Sequence, residues 1–172
     1  MAARYGRVMT ACEDFTQEEW ERLGRAPLVA GMAISLADPG GPIEALKETG
    51  AALKTILEAA QDGTNGALVQ AVAKDVADKA QRRESPLAGF KARGAQAREQ
   101  ILDELRAVNA LLVEKATPEE AAQFREWLRT AAQRAATAAK EGGFLGFNAQ
   151  LVSENEQQML EELGRIFGAE AA

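Results

Sequence analysis

The sequence contains no histidine, and its one cysteine, Cys12, has no partner within the chain for a disulfide. Without histidine there can be no Ser-His or Cys-His catalytic pair and no histidine-ligated zinc, and the Glu-x-x-His pairs that hold a di-iron centre in a helical bundle are excluded as well. A single thiol also excludes thiolate metal clusters. We therefore predict that the protein is not an enzyme and has no cofactor, a divalent metal held by oxygen ligands being the one exception that the composition allows.

Aromatic residues make up only 5% of the chain, and no window alternates apolar and polar residues as a half-buried strand would. No stretch approaches the ~20 apolar residues of a membrane span, and the N-terminal residues lack the apolar run of a secretory signal. We therefore expect a cytoplasmic protein without a membrane span.

Acidic residues outnumber basic ones by 26 to 20, and the net charge of −6 disfavours attraction to nucleic acid. One local group of basic residues is the exception, and we interpret it as a solvated loop and helix start because it lacks interleaved aromatic residues for base stacking. The group consists of Arg82, Arg83, Lys91, Arg93 and Arg98. We expect no nucleic-acid partner.

Alanine is abundant, and apolar residues recur at helical spacing along most of the chain. We predict an all-α fold, a single-domain antiparallel bundle of six or seven helices. Residues 1–14 are expected to form an irregular arm, and residues 15–172 to form the bundle domain.

Three helix starts carry the same capping signal, a threonine or serine followed three residues later by glutamate. The pairs are Thr16 and Glu19, Thr117 and Glu120, and Ser153 and Glu156. The first helix is predicted to be short, because Gly24 and Pro27 interrupt its pattern and proline fits the first turn of a new helix better than the middle of an old one. A second helix is then predicted over about residues 27–37.

The third helix is predicted to begin at Pro42 and to carry a heptad-like seam for an antiparallel neighbour. The residues of this seam recur at spacings of three and four: Ile43, Leu46, Gly50, Leu53, Leu57 and Ala60. The glycine within it indicates a close crossing of two helices. Across the bundle we expect six large side chains to be buried, namely Leu53, Ile101, Leu105, Phe124, Leu128 and Leu160.

The segment between the last two predicted helices combines three glycines with three large apolar residues, Phe144, Leu145 and Phe147. It is not a phosphate-binding loop, because it has neither a preceding strand nor the lysine and hydroxyl of that motif. The apolar residues either fold inward as a lid on the bundle or form an apolar knob for a protein partner. They are our candidate interaction residues.

An alanine-rich helix that meets a glycine-rich turn and then an acid-led helix occurs twice. The first copy is Ala37-Asp38-Pro39-Gly40 with Glu44, and the second is Glu141-Gly142-Gly143 followed by Val152-Ser153-Glu154-Asn155-Glu156. Together they resemble the turns of bacterial tellurite-resistance TerB-like proteins, which are small all-helical domains. The resemblance implies divalent-metal binding by turn carboxylates, for which Asp38, Glu44, Glu141 and Glu156 are the candidates, although helix capping explains the same residues without a metal.

Three hypotheses of function follow from the sequence. The leading one is a non-enzymatic interaction or scaffold module, TerB-like and related to stress, that contacts a protein partner or a second copy of itself. The second is a divalent-metal-binding stress protein that uses the turn carboxylates, and metal-dependent stabilisation would distinguish it. The third is a bundle that binds a small molecule in an apolar pocket, which a large apolar cavity would favour.

Overall fold

The protein is all-α across the part of the chain that the computed structural model describes, residues 12–38, 42–138 and 152–168, with the backbone alone for 42–47. These residues contain six α-helices, two short 3-10 helices (Cys12–Asp14 and Gly94–Gln96) and no strand. The α-helices are α1 (Gln17–Ala37), α2 (Pro42–Gln61), α3 (Ala67–Gln81), α4 (Ala97–Lys115), α5 (Pro118–Ala138) and α6 (Glu154–Ile166). The predicted fold class is confirmed. None of these helices is long and apolar enough to cross a membrane.

Helix α1 lies at the centre of the bundle, because it contacts each of the other five helices. It is one continuous helix, so the prediction of a break at Gly24 and Pro27 is wrong. Pro27 cannot donate a helical hydrogen bond and costs about 3 kcal/mol in a helix interior. Burial outweighs this cost, because the helix is buried without interruption from Leu23 to Gly31, Pro27 included.

The contacts of α1 show its direction relative to two neighbours. The Ser35 hydroxyl donates to the Glu48 carboxylate, and Gly31 lies against Ala52, so residue numbers fall along α1 as they rise along α2. In the same way, Arg25 pairs with Glu104 and Glu19 pairs with Lys115 of α4. Both pairs of helices are therefore antiparallel, and the direction of the remaining pairs stays a prediction.

Helix α2 is rotated relative to the prediction made from its apolar residues. Gly50 and Leu57 of the predicted seam are exposed and Leu53 is only half-buried, whereas the opposite face of the helix packs into the bundle. The residues of this buried face are Glu48, Ala52, Thr55, Ile56 and Ala59. The side chains of Ile43 and Leu46 lie outside the described part of the chain.

Gly31, and not Gly50, marks the close crossing of α1 and α2. A Cβ atom built on Gly31 would lie 3.2 Å from the Cβ of Ala52 and 3.8 Å from the Cβ of Ala135, whereas nothing lies within 4 Å of one built on Gly50. Small residues at the contact allow the helices to approach closely, and this approach explains why α2 turns its alanine face inward. The polar Glu48 on that face is stabilised by the hydrogen bond from Ser35.

All three predicted caps are present. The Thr16 and Ser153 hydroxyls each accept a hydrogen bond from the backbone N–H three residues later, and the glutamate at that position accepts one from the backbone N–H of the capping residue. Thr117 Oγ1 accepts from the Glu120 N–H at 3.3 Å, and Glu120 Oε2 accepts from the Thr117 N–H at 3.1 Å.

Four of the six side chains predicted to be buried are so: Ile101, Leu105, Phe124 and Leu128. Leu53 and Leu160 are half-buried and pack against the edge of the core, so the prediction is wrong for these two. Residues 12–14 of the predicted irregular arm form a 3-10 turn, and Phe15 beside it contacts the Trp20 ring with the centroids 5.7 Å apart. Residues 1–11 lie outside the described residues.

A buried ion pair connects α1, α4 and the loop between α3 and α4, and sequence reasoning did not predict it. Arg25 Nε donates to Glu104 Oε1 at 2.7 Å, and both side chains are buried. Arg25 Nη1 donates to the Ala88 carbonyl at 3.1 Å, and its guanidinium lies 5.9 Å from the centroid of the Phe90 ring. Arg25 therefore connects the loop to α1 and α4, in addition to the loop's own apolar side chains that pack against the core.

Candidate functional site

Most of the predicted site residues cannot be placed. The candidate interaction residues Phe144, Leu145 and Phe147 and the candidate metal ligand Glu141 lie outside the described residues. Glu44 falls within α2, but its side chain is outside the described part.

The two remaining metal candidates lie at helix ends. Asp38 is the C-cap residue of α1, and its N–H donates to the Ile34 carbonyl. Glu156 is buried in the first turn of α6, where Oε2 accepts from the Ser153 N–H at 2.7 Å. Within the ranges described, no group of three or more acidic or cysteine side chains is placed to hold a metal ion. The proposed ligand set stays a prediction.

A groove between α2 and α5 is the larger of two adjoining clefts. Its volume is about 670 Å³, and small residues line it together with longer polar ones. We call it the α2–α5 groove and define it by its lining: Gly50, Ala51, Lys54, Glu58, Gln133, Arg134, Thr137 and Ala138. The groove is open to solvent, and both small residues and long polar side chains line it.

Three residues of the predicted heptad seam lie on the outward side of α2, and we call them the outer seam: Gly50, Leu53 and Leu57. Leu57 is 40% exposed, and the space around Gly50 is open. Gly50 also lines the α2–α5 groove, so the outer seam and the groove are continuous at that residue. A heptad seam is normally covered by another helix.

Charged side chains stand beside the outer seam. Arg134 donates a hydrogen bond to the Glu58 carboxylate, and this bond lowers the pKa of Glu58 below its ordinary value. The Lys54 ammonium lies 3.8 Å from the same carboxylate on the other side. The charged residues that line the α2–α5 groove are therefore two cations with one carboxylate between them.

A smaller cleft of about 280 Å³ lies on the other side of the Arg134–Glu58 pair. Trp127 is at its base, where Nε1 lies 3.5 Å from the Thr55 carbonyl. Asp62 lies at its edge, and hydrogen bonds from the Thr64 N–H and hydroxyl lower the pKa of this carboxyl.

Neither cleft is the large apolar cavity that would favour the small-molecule hypothesis. Both are open, and carboxylate, amide, hydroxyl or guanidinium groups line each of them. Sequence reasoning missed the two clefts because it directed the leucines of α2 inward. One signal was present, since Ala52, Ile56 and Ala59 also recur at spacings of four and three.

Comparisons of the chain with protein-family models, with curated proteins and with solved structures found no match. The resemblance to TerB-like proteins therefore stays a prediction.

Proposed function

We propose that the protein is a non-enzymatic interaction or scaffold module that acts in the cytoplasm, with a TerB-like fold, and that its contact surface is the outer seam of α2 together with the α2–α5 groove. The observation that carries the proposal is the orientation of α2. Its leucines have the heptad spacing of a helix-pairing seam, yet Leu57 is exposed while Glu48 and Thr55 of the same helix are buried.

The close contact at Gly31, where an added Cβ would lie 3.2 Å from the Cβ of Ala52, supports this orientation of α2. Exposing Leu57 forgoes part of the ~1.5–3 kcal/mol that burial of a leucine contributes. A partner that covers the outer seam would recover this free energy in the complex.

Photo-crosslinking from inside the contact tests the proposal. A photoreactive amino acid replaces Leu57, and the same amino acid replaces Val113 as a matched control, because Val113 is the exposed large apolar residue of α4 and is 63% exposed. On irradiation in the native cell, the position-57 variant should give a discrete adduct of higher mass, and the position-113 variant should give none. Equal labelling from the two positions would contradict the proposal.

A further inference from the structure

The charges beside the outer seam specify the kind of partner, an inference that rests on the function proposed above. We infer that the outer seam binds an amphipathic helix of another protein, with leucine-type residues at the a and d positions of its heptads and glutamate beside them.

The heptad register of α2 supports a helical partner. In this register Gly50 and Leu57 hold a positions, Leu53 holds a d position and Lys54 holds an e position. Side chains at a and d pack into the facing helix, whereas e and g side chains pair with charges of the partner. Because nothing lies within 4 Å of a Cβ built on Gly50, a large side chain of the partner can pack directly over this residue.

The flanking charges support an acidic partner. The Lys54 side chain is 74% exposed, so a partner can reach its ammonium even though it pairs with the Glu58 carboxylate at 3.8 Å. The nearby Glu58 is already bound by Arg134 and does not offer a free carboxylate for a basic partner. At physiological ionic strength charges more than about 8 Å away are largely screened, so the distant acidic residues of the protein have little effect at Lys54.

A second copy of this chain fits the outer seam less well than an acidic helix does. In an antiparallel pair of α2 helices the e positions face each other, and Lys54 would meet Lys54. In a parallel pair the e position faces g, and the residues at g are Thr49 and the buried Ile56. Neither arrangement supplies a carboxylate to Lys54.

Two synthetic three-heptad peptides test the inference with the full-length protein. Both carry leucine at every a and d position, and one carries glutamate at every e and g position where the other carries lysine. Like charges keep each peptide from pairing with itself. Fluorescence anisotropy at physiological ionic strength should show that the glutamate peptide binds about fivefold more tightly than the lysine peptide. The reason is that Lys54 attracts a glutamate of the first peptide and repels a lysine of the second.

Three variants make the test specific. Lys54→Glu should reverse the preference in favour of the lysine peptide. Leu57→Gln should weaken binding of the glutamate peptide about tenfold, because a leucine contact is lost. Val113→Gln, at an exposed apolar residue of α4, should leave binding unchanged. Undiminished binding to Leu57→Gln would overturn the inference, because the contact would then lie elsewhere.

Other occupants of the outer seam would give different results. A dimer in analytical ultracentrifugation that Leu57→Gln dissociates would assign the seam to a second copy and overturn the inference. If the peptide bound only to the double variant Phe144→Ser, Phe147→Ser, the chain's own apolar segment would be the occupant of the outer seam. That result would also overturn the inference. If crosslinked adducts form at position 57 but the two peptides bind equally well, the inferred class of partner is overturned and the proposed function stands. If no adducts form at position 57, the proposed function itself is contradicted.

Discussion

Single side chains determine where the helices of this protein begin. At the start of α5, Thr117 and Glu120 exchange hydrogen bonds that satisfy two backbone N–H groups, and Pro118 has no N–H to satisfy. Such caps stabilise a protein by about 0.5–2 kcal/mol each.

We predict that Thr117→Ala lowers the free energy of unfolding by about 0.5–2 kcal/mol, measured by urea denaturation, because the Glu120 N–H loses its acceptor. Thr137→Ala in the same helix is the control. Its hydroxyl donates to the Gln133 carbonyl, which is a helical acceptor in any case, so the change should stay within about 0.5 kcal/mol. Equal losses from the two variants would show that the cap contributes nothing.

The ends of α1 and α4 are joined by an ion pair whose contribution depends on pH. Lys115 donates to Glu19, and this bond, together with one from the Thr16 N–H, lowers the pKa of Glu19 below its ordinary value of 4.5. A carboxyl group whose pKa is lower in the native protein than in the unfolded chain stabilises the native state at pH values above the unfolded-state pKa. This stabilisation is lost as the pH falls through the native-state pKa.

We predict that stability falls as the pH drops below about 5 and that the fall is shallower in Lys115→Gln, because the largest cause of the shift is then removed. Thermal unfolding between pH 3 and pH 7 measures the effect. Lys74→Gln, at an exposed lysine of α3, should keep the wild-type dependence. If the melting temperatures of the wild type and of Lys115→Gln fell equally with pH, the pair of Glu19 and Lys115 would not be the cause of the pH dependence.

At the scale of helices, two glycines have opposite roles. Gly31 allows the close crossing of α1 with α2, whereas Gly50 faces open space. We predict that Gly31→Ala lowers the free energy of unfolding by about 1–3 kcal/mol through overpacking. Gly50→Ala should raise it by about 0.5–1 kcal/mol, because alanine favours the helix and meets no neighbour. Chemical denaturation measures the free energy of unfolding of both variants. If both substitutions raised it, the close crossing of α1 and α2 would not lie at Gly31.

The buried pair of Arg25 and Glu104 connects two helices and a loop. We predict that Arg25→Met lowers the free energy of unfolding by about 3–5 kcal/mol, because the Glu104 carboxylate then stays buried with a weaker partner, Arg22. Replacing both residues by methionine should recover much of this loss, since two apolar side chains need no charge partner. Urea denaturation of the single and double variants tests the prediction, and a double variant no more stable than the single would contradict it.

The elements that could be predicted from the sequence are those determined by local chemistry. Capping boxes act over three residues, so the starts of α1, α5 and α6 were predicted correctly. The continuity of α1 through Pro27 and the rotation of α2 depend on packing between distant segments, and a single helix does not reveal them. Leucines on α2 predicted a core face, but it is Ala52 that packs against Gly31 of α1. The spacing of these residues therefore predicted the helix, but the prediction that they face a neighbouring helix of the bundle was wrong for Gly50 and Leu57.

At the scale of the whole molecule, the metal hypothesis makes a prediction of its own. If the turn carboxylates held one cation, metal at one hundred times its dissociation constant would stabilise the native state by about 2.7 kcal/mol. We expect no change in melting temperature with Ca²⁺, Mg²⁺ or Mn²⁺, because Glu156 is buried in its capping box. A saturable rise that Asp38→Asn abolishes would replace the scaffold proposal with the metal hypothesis.

The central position of α1 has a consequence for the synthesis of the protein. Helix α1 leaves the ribosome before every helix that covers it, and α6 ends about 130 residues later. At about 5–20 residues per second, roughly 6–26 s pass before the last of these helices exists. Until then the leucine, valine and isoleucine side chains of α1 lack part of their native cover, so this helix is the segment of the nascent chain on which we expect a chaperone to act.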